Sequence, residues 1–120
     1  MTIKDFYTLI NEDYAEVLGR LMNERIVTKF VCKFVQDPTY SSLERALQQH
    51  QAEEAFIAAH TLKGLCLNLG FSHLGEIVSD LTELLRPKDD TINSPIVTEL
   101  SNQIHIEYQA IIKAIAQIEQ

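Results

Sequence analysis

Glycine and proline are scarce in this 120-residue chain, at 4 and 3 residues, fewer than an average soluble composition supplies. That argues against a loop-rich β-sandwich with frequent tight turns and makes a helical protein the expectation. Cationic residues are also outnumbered, with 10 Lys+Arg against 17 Asp+Glu and a formal net charge of -7. Nucleic-acid and anionic-membrane surfaces need a clustered cationic footprint, so the expected partners are proteins or small molecules. The two cysteines, Cys32 and Cys66, form no C-x-x-C pair and have no His-x-His or His-x-x-x-His company. A structural zinc site therefore has no support, and free thiols in a reducing cytosol fit better. No apolar run reaches the roughly 18 residues of a membrane span. Met1–Asp5 does not lead from a cationic stretch into an apolar core, so nothing directs the chain to the secretory route and a cytoplasmic location is expected.

What is abundant is apolar residues, 46% of the chain, recurring at three- and four-residue steps almost throughout. The spacing predicts one all-α domain over residues 1–120, with short N-terminal helices within 1–22 and a bundle over 23–120. Helices are expected over 3–10 and over 12–21, the second capped by Asn11. Asn23 caps the next, 24–36, with Ile26, Val27, Phe30, Val31 and Phe34 as its buried stripe, and Asp37-Pro38 ends it. Further helices run over about 39–49 and 52–70, the latter closed by Gly70. Leu74, Ile77, Leu81, Leu84 and Leu85 give the following helix one apolar face, which Pro87 terminates. Residues 87–93 are a loop, after which Ser94 as cap and Pro95 at the first helical position open the last helix. That helix carries Val97, Leu100, Ile104, Tyr108, Ile111, Ile115 and Ile118. Long amphipathic helices with short connections predict an antiparallel up-and-down four-helix bundle.

One helix breaks the pattern. Within 52–70, Ala55, Ala59, Leu62, Cys66 and Leu69 form the inward seam at alternating four- and three-residue steps. At about 100° per residue, His60 points roughly 160° away from that seam and stands on the outer side. Glu53, Phe56, Ile57, Gly64 and Leu67 share that side, so a face expected to be charged is largely apolar. Gly64 lies one turn after His60, in a helix interior where Gly costs about 1 kcal/mol relative to Ala. Its missing side chain leaves the imidazole open to close approach. Lys63, three residues on from His60, can place an ammonium beside any anion the ring carries.

His60-Thr61-Leu62-Lys63-Gly64, followed by Leu69-Gly70 and Leu74, resembles the His-x-Leu-Lys-Gly...Leu-Gly signature of histidine-containing phosphotransfer (HPt) domains. The likeness extends to the helix order from about residue 12 to 86. It implies relay of a phosphoryl group between a histidine or hybrid kinase, its receiver domain, and a response regulator. Under it, His60 is the phosphoryl acceptor and donor, Lys63 neutralises charge and Gly64 gives access. Glu53, Phe56, Ile57, Leu67 and Asn68 form the partner-binding patch. Imidazole suits such chemistry, because an exposed ring with an ordinary pKa of about 6.5 is mostly neutral at pH 7 and keeps a nucleophilic lone pair. The resemblance also implies no cofactor and no metal on this chain, with magnesium supplied by the partner receiver's acidic pocket.

There is no Gly-rich phosphate loop and no alternating strand–helix pattern, so the chain carries neither an ATP-binding kinase module nor a receiver fold. A phosphocarrier that cannot phosphorylate itself from ATP is expected, as a monomer. One position departs from the family pattern, the bulky Leu65 where a small residue is usual. The alternative reading is therefore a catalytically silent adaptor or inhibitor that binds a kinase or receiver through the same patch. His50, His73 and His105 have no comparable neighbours and read as surface or capping residues. Arg25, Lys29 and Lys33 line one flank of their helix, more often a solvated face than a steering surface. Cys66 reads as a small core residue.

Overall fold

A computed structural model of the protein describes residues 1–119. It contains seven α-helices, α1 (Ile3–Leu9), α2 (Tyr14–Leu21), α3 (Glu24–Phe34), α4 (Thr39–Gln48), α5 (Ala52–Leu69), α6 (Ser72–Leu85) and α7 (Pro95–Ile115). Among the described residues there is no strand. The turns from α4 to α5 and from α5 to α6 are too short for anything but reversal of the chain. α4 packs on α5, α5 on α6 and α6 on α7, and stacked Tyr40 and Tyr108 rings, 3.8 Å apart, join α4 to α7. This is the all-α up-and-down bundle that apolar spacing predicted.

The first three helices cap the end of the bundle where α5 and α7 finish and α6 begins. Phe6, Tyr7, Phe34 and Phe71 form one aromatic cluster there, with edge-to-face and tilted rings 5.1 to 6.2 Å apart. α3 packs on α1 and α2 as well as on α5. The two chain ends are joined, since the Met1 ammonium donates to the Gln117 carbonyl and the Glu119 N–H donates to the Met1 carbonyl.

Side-chain caps close the N-termini of the first three helices. Thr2 and Asp5 make a reciprocal capping box at α1, and Asn23 accepts from the Arg25 and Ile26 N–H groups at α3. Four expectations need correction. The cap of α2 is Asp13, which accepts from the Glu16 N–H. Asn11 instead takes left-handed backbone, φ 59, in the turn before it, a conformation Asn tolerates through its short polar side chain. In α3 only Val27, Val31 and Phe34 are buried, while Ile26 and Phe30 are 39% and 40% exposed. They lie off the single line along which this short helix meets its neighbours. Ser94 makes no side-chain cap, and its Oγ is buried without a partner. The residue closes a 3-10 turn over Asp90–Asn93, its N–H bonded to the Thr91 carbonyl. That turn also corrects the loop at 87–93, because it buries Ile92 in the core.

Candidate functional site

The inward seam of α5 is as expected: Ala55, Ala59, Leu62, Cys66 and Leu69 are all buried, along with Ala58. Burial of a side chain such as Leu62 stabilises the fold by roughly 1.5–3 kcal/mol and fixes the rotation of the helix about its axis. With that rotation set, His60 is exposed near the middle of α5, together with Glu53, Ile57, Gly64, Leu67 and Asn68. Ile57 and Leu67 are each 55% exposed, an apolar pair on either side of the imidazole.

Gly64 has open space where a side chain would start, with nothing within 4 Å of a Cβ built there. Its absence of side chain is therefore not required by packing inside this chain. Gly75 on α6 is different, since a Cβ there would lie 3.4 Å from the Cys66 Cβ; that glycine lets α5 and α6 approach closely. Leu65 is half-buried and packs against the core, on a different face of α5 from His60. Its bulk leaves the imidazole uncovered.

Two members of the patch differ from expectation. Phe56 is half-buried rather than open. Its ring stacks on His60, with centroids 6.1 Å apart and planes 21° from parallel. Over the same ring stand the Arg86 guanidinium carbon at 5.3 Å and the Lys88 Nζ at 4.9 Å from the centroid. Lys63 is half-buried as well.

Arg86 and Lys88 escaped the sequence reading because they lie 26 and 28 positions beyond His60, and helical phase on α5 says nothing about the end of α6. The available signal was weak, two cations flanking Pro87 just where a helix must stop. Arg20 was missed for the same reason. From α2 it donates to the Leu67 carbonyl at 2.8 Å and the Asn68 carbonyl at 3.1 Å, and it pairs with Glu16 at 3.0 Å. Cationic groups thus flank the His60 face at both ends in a chain that is acidic overall.

The C-terminal end of α5, two and a half turns beyond His60, is held from several sides. Gly70 adopts φ 73, and the Phe71 N–H bonds back to the Cys66 carbonyl, a Schellman closure. The buried Tyr7 hydroxyl donates to the Leu69 carbonyl at 2.5 Å, and Glu12 accepts from the His73 N–H at the start of α6. Burial holds the Tyr7 phenol well above its ordinary range and pushes the Cys66 thiol up to about 12, so both stay protonated and unreactive at neutral pH. His50 and His73 are exposed, and His105 bonds to the Tyr40 hydroxyl at 2.7 Å on the α4–α7 side. Arg25, Lys29 and Lys33 line a shallow concavity on α3.

Among the described residues, no three His, Cys, Asp or Glu side chains converge as a metal-binding group, and no helix is long and apolar enough to cross a membrane. No curated protein and no solved structure matches the chain at a significant level. One family model does, that of the Hpt domain, over residues 37–119. That stretch begins just before α4 and runs through α7, so it holds the whole bundle and the helix bearing His60 while leaving out α1–α3. By this match the chain belongs to the Hpt domain family, whose role is histidine phosphotransfer in phosphorelays.

Proposed function

We propose that the protein is a phosphocarrier in which His60 takes a phosphoryl group from the aspartyl phosphate of a receiver domain and passes it to another. The observation that carries this reading is the exposed imidazole at mid-helix with empty space one turn on at Gly64. A helix surface made for solubility alone would place charge there and would have no use for a glycine that its own packing does not need.

In the forward step a ring nitrogen of neutral His60 attacks phosphorus in line with the acyl oxygen. The P–N bond forms as the P–O bond breaks, the aspartate leaves as carboxylate, and the ring's displaced proton goes to solvent. The reverse sequence delivers the group to the next aspartate. Lys63 offsets charge on the phosphoryl oxygens, and Gly64 admits the partner's active-site loops. Glu53, Phe56, Ile57, Leu67 and Asn68 form the docking patch, small enough for the short-lived contacts a relay needs. The magnesium ion belongs to the receiver's acidic pocket, and this chain supplies no cofactor. Two free thiols suit a monomer working in the reducing cytoplasm.

Incubation with a phosphorylated receiver is expected to transfer one acid-labile phosphoryl group to the chain, and His60→Gln is expected to abolish it. Label retained by that variant would refute His60 as the acceptor. A chain that binds a receiver but is labelled by none of a panel would be an adaptor.

A further inference from the structure

α4 packs on α5, α5 on α6 and α6 on α7, but the seam between α4 and α7 is bridged by side chains. Tyr40 stacks on Tyr108 with ring centroids 3.8 Å apart, and its hydroxyl lies 2.7 Å from the His105 Nδ1. Two aromatic rings placed between helices hold them apart, and the α7 residues that follow on that face, Ser101 and Thr98, are too short to fill the gap. A cavity of about 300 Å³ results, at the small end of the range for ligand pockets. Its walls are mostly apolar, with Leu43 and Leu47 from α4, Ile92 from the 3-10 turn and Val97 from α7. No α5 residue lines it, so it is separate from the His60 face.

The charge in this cavity has one sign. No lysine or arginine lines it, and Glu44 is its single carboxylate. The Glu44 Oε2 lies 3.3 Å from the Tyr40 hydroxyl and 3.7 Å from the His105 Nδ1. A phenol has one hydrogen to give, so both Tyr40 contacts are satisfied when His105 Nδ1–H donates to the phenol oxygen and the phenol donates to Glu44. That chain, running from α7 to α4, holds the carboxylate on the cavity wall and leaves Oε1 with no hydrogen-bond partner among the described residues. The last turn of α4 adds to it, since Leu47 and Gln48 line the same wall at the negative end of the helix dipole. Arg45, the cation of that turn, does not line the cavity.

We infer that this cavity binds a small molecule with an apolar body and a protonated amine, of arylalkylamine type. The ammonium donates to Glu44 Oε1, and the apolar body lies against Leu43, Leu47, Ile92 and Val97. An anion of the same shape would meet a carboxylate with no cation to offset it, and a neutral molecule would cover that carboxylate without pairing it. The bound amine spans the seam that the bundle's own packing leaves open. It therefore ties α4 to α7 and stabilises the folded chain by mass action, while the face bearing His60 stays free for a protein partner.

The test titrates the full chain with 2-phenylethylamine at neutral pH, by calorimetry and by backbone-amide NMR. Saturable binding with a Kd of about 1 mM or below is expected, with shifts on α4, on α7 and around Ile92 and none around His60. 2-Phenylethanol and phenylacetate carry the same ring with a hydroxyl or a carboxylate in place of the ammonium, and both are expected to bind roughly tenfold more weakly or worse. Glu44→Gln, which keeps the shape and an acceptor for Tyr40, is expected to lose roughly tenfold in affinity for the amine. Ser101→Phe, which fills the cavity and leaves the carboxylate in place, is expected to abolish binding. The comparison of the three small molecules uses the unaltered chain and stands whether or not either variant folds. Absence of saturable binding, equal affinity for the alcohol or the acid, shifts centred on α5, or full affinity in either folded variant overturns the assignment.

Discussion

Two glycines on one helix separate function from stability at the level of single residues. Gly64 sits on an open, exposed face of α5 with ordinary helical backbone, so its cost is only the propensity difference from alanine. Gly64→Ala is expected to raise stability by about 0.5–1 kcal/mol, read as a higher denaturant midpoint. Gly64→Gln should keep the fold intact yet slow phosphoryl transfer, since its side chain extends into the space a partner must enter. Unchanged transfer in the glutamine variant would show that access at this position is irrelevant. His60 and Gly64 were legible as a pair from helical phase, because the inward seam fixes which way α5 faces. Lys88 was not legible, because its backbone conformation and its reach to Phe56 depend on where the α6 turn lands.

The element that sets the site is the C-terminal end of α5, and it responds to glycine in the opposite sense. Gly70 combines φ 73 with close contact, and a Cβ there would overlap the Val17 side chain. Gly70→Ala is expected to destabilise by more than the roughly 1–2 kcal/mol that left-handed backbone alone costs an L-residue. Tyr7→Phe removes the hydroxyl that serves the Leu69 carbonyl and should cost about 1–3 kcal/mol, the range for a buried partner left unsatisfied. Equilibrium urea unfolding of the two variants measures both. A Tyr7→Phe midpoint equal to that of the parent would mean that water takes over the carbonyl and that the clamp is not energetically important. The sequence did announce Gly70 as a helix end. It did not announce that Tyr7, Glu12, Val17 and Arg20, up to 63 positions away, all converge on that turn, because nothing local in α1 or α2 encodes what they dock against.

For the molecule as a whole, the ionisable groups make alkaline pH the weak side. Burial raises Tyr7, Tyr40, Tyr108 and Cys66 above their ordinary values, with Glu44 adding to the shift at Tyr40. A group whose folded pKa is raised contributes stability that is fully present below its unfolded value. That stability is lost as pH climbs towards the folded one. For the Cys66 thiol the window opens near 9.0 and closes at about 12, and for the phenols it opens near 10.0. Unfolding free energy is therefore expected to fall as pH rises through 9.0 and 10.0, the ordinary values of the thiol and the phenols. A flat profile through that range would show that the buried phenols and thiol reach water in the folded state. At the acid end, Asp5 and Asp89 are lowered by hydrogen bonds from Thr2 and Thr91. Both are fully exposed, so only a slight loss is expected as pH drops below their ordinary range.

Helical class, the order of the elements, the bundle and the outward phase of His60 were determined by the sequence alone, because each follows from local spacing and capping chemistry that acts within a few turns. Tertiary structure alone decided the rest. It turned α3 so that Ile26 and Phe30 face water, packed Leu65 against the core and away from the imidazole, folded α1–α3 onto the α5–α6 turn, and brought Arg86 and Lys88 to Phe56. These contacts join residues far apart in the chain, and their geometry is set by how whole helices seat against one another.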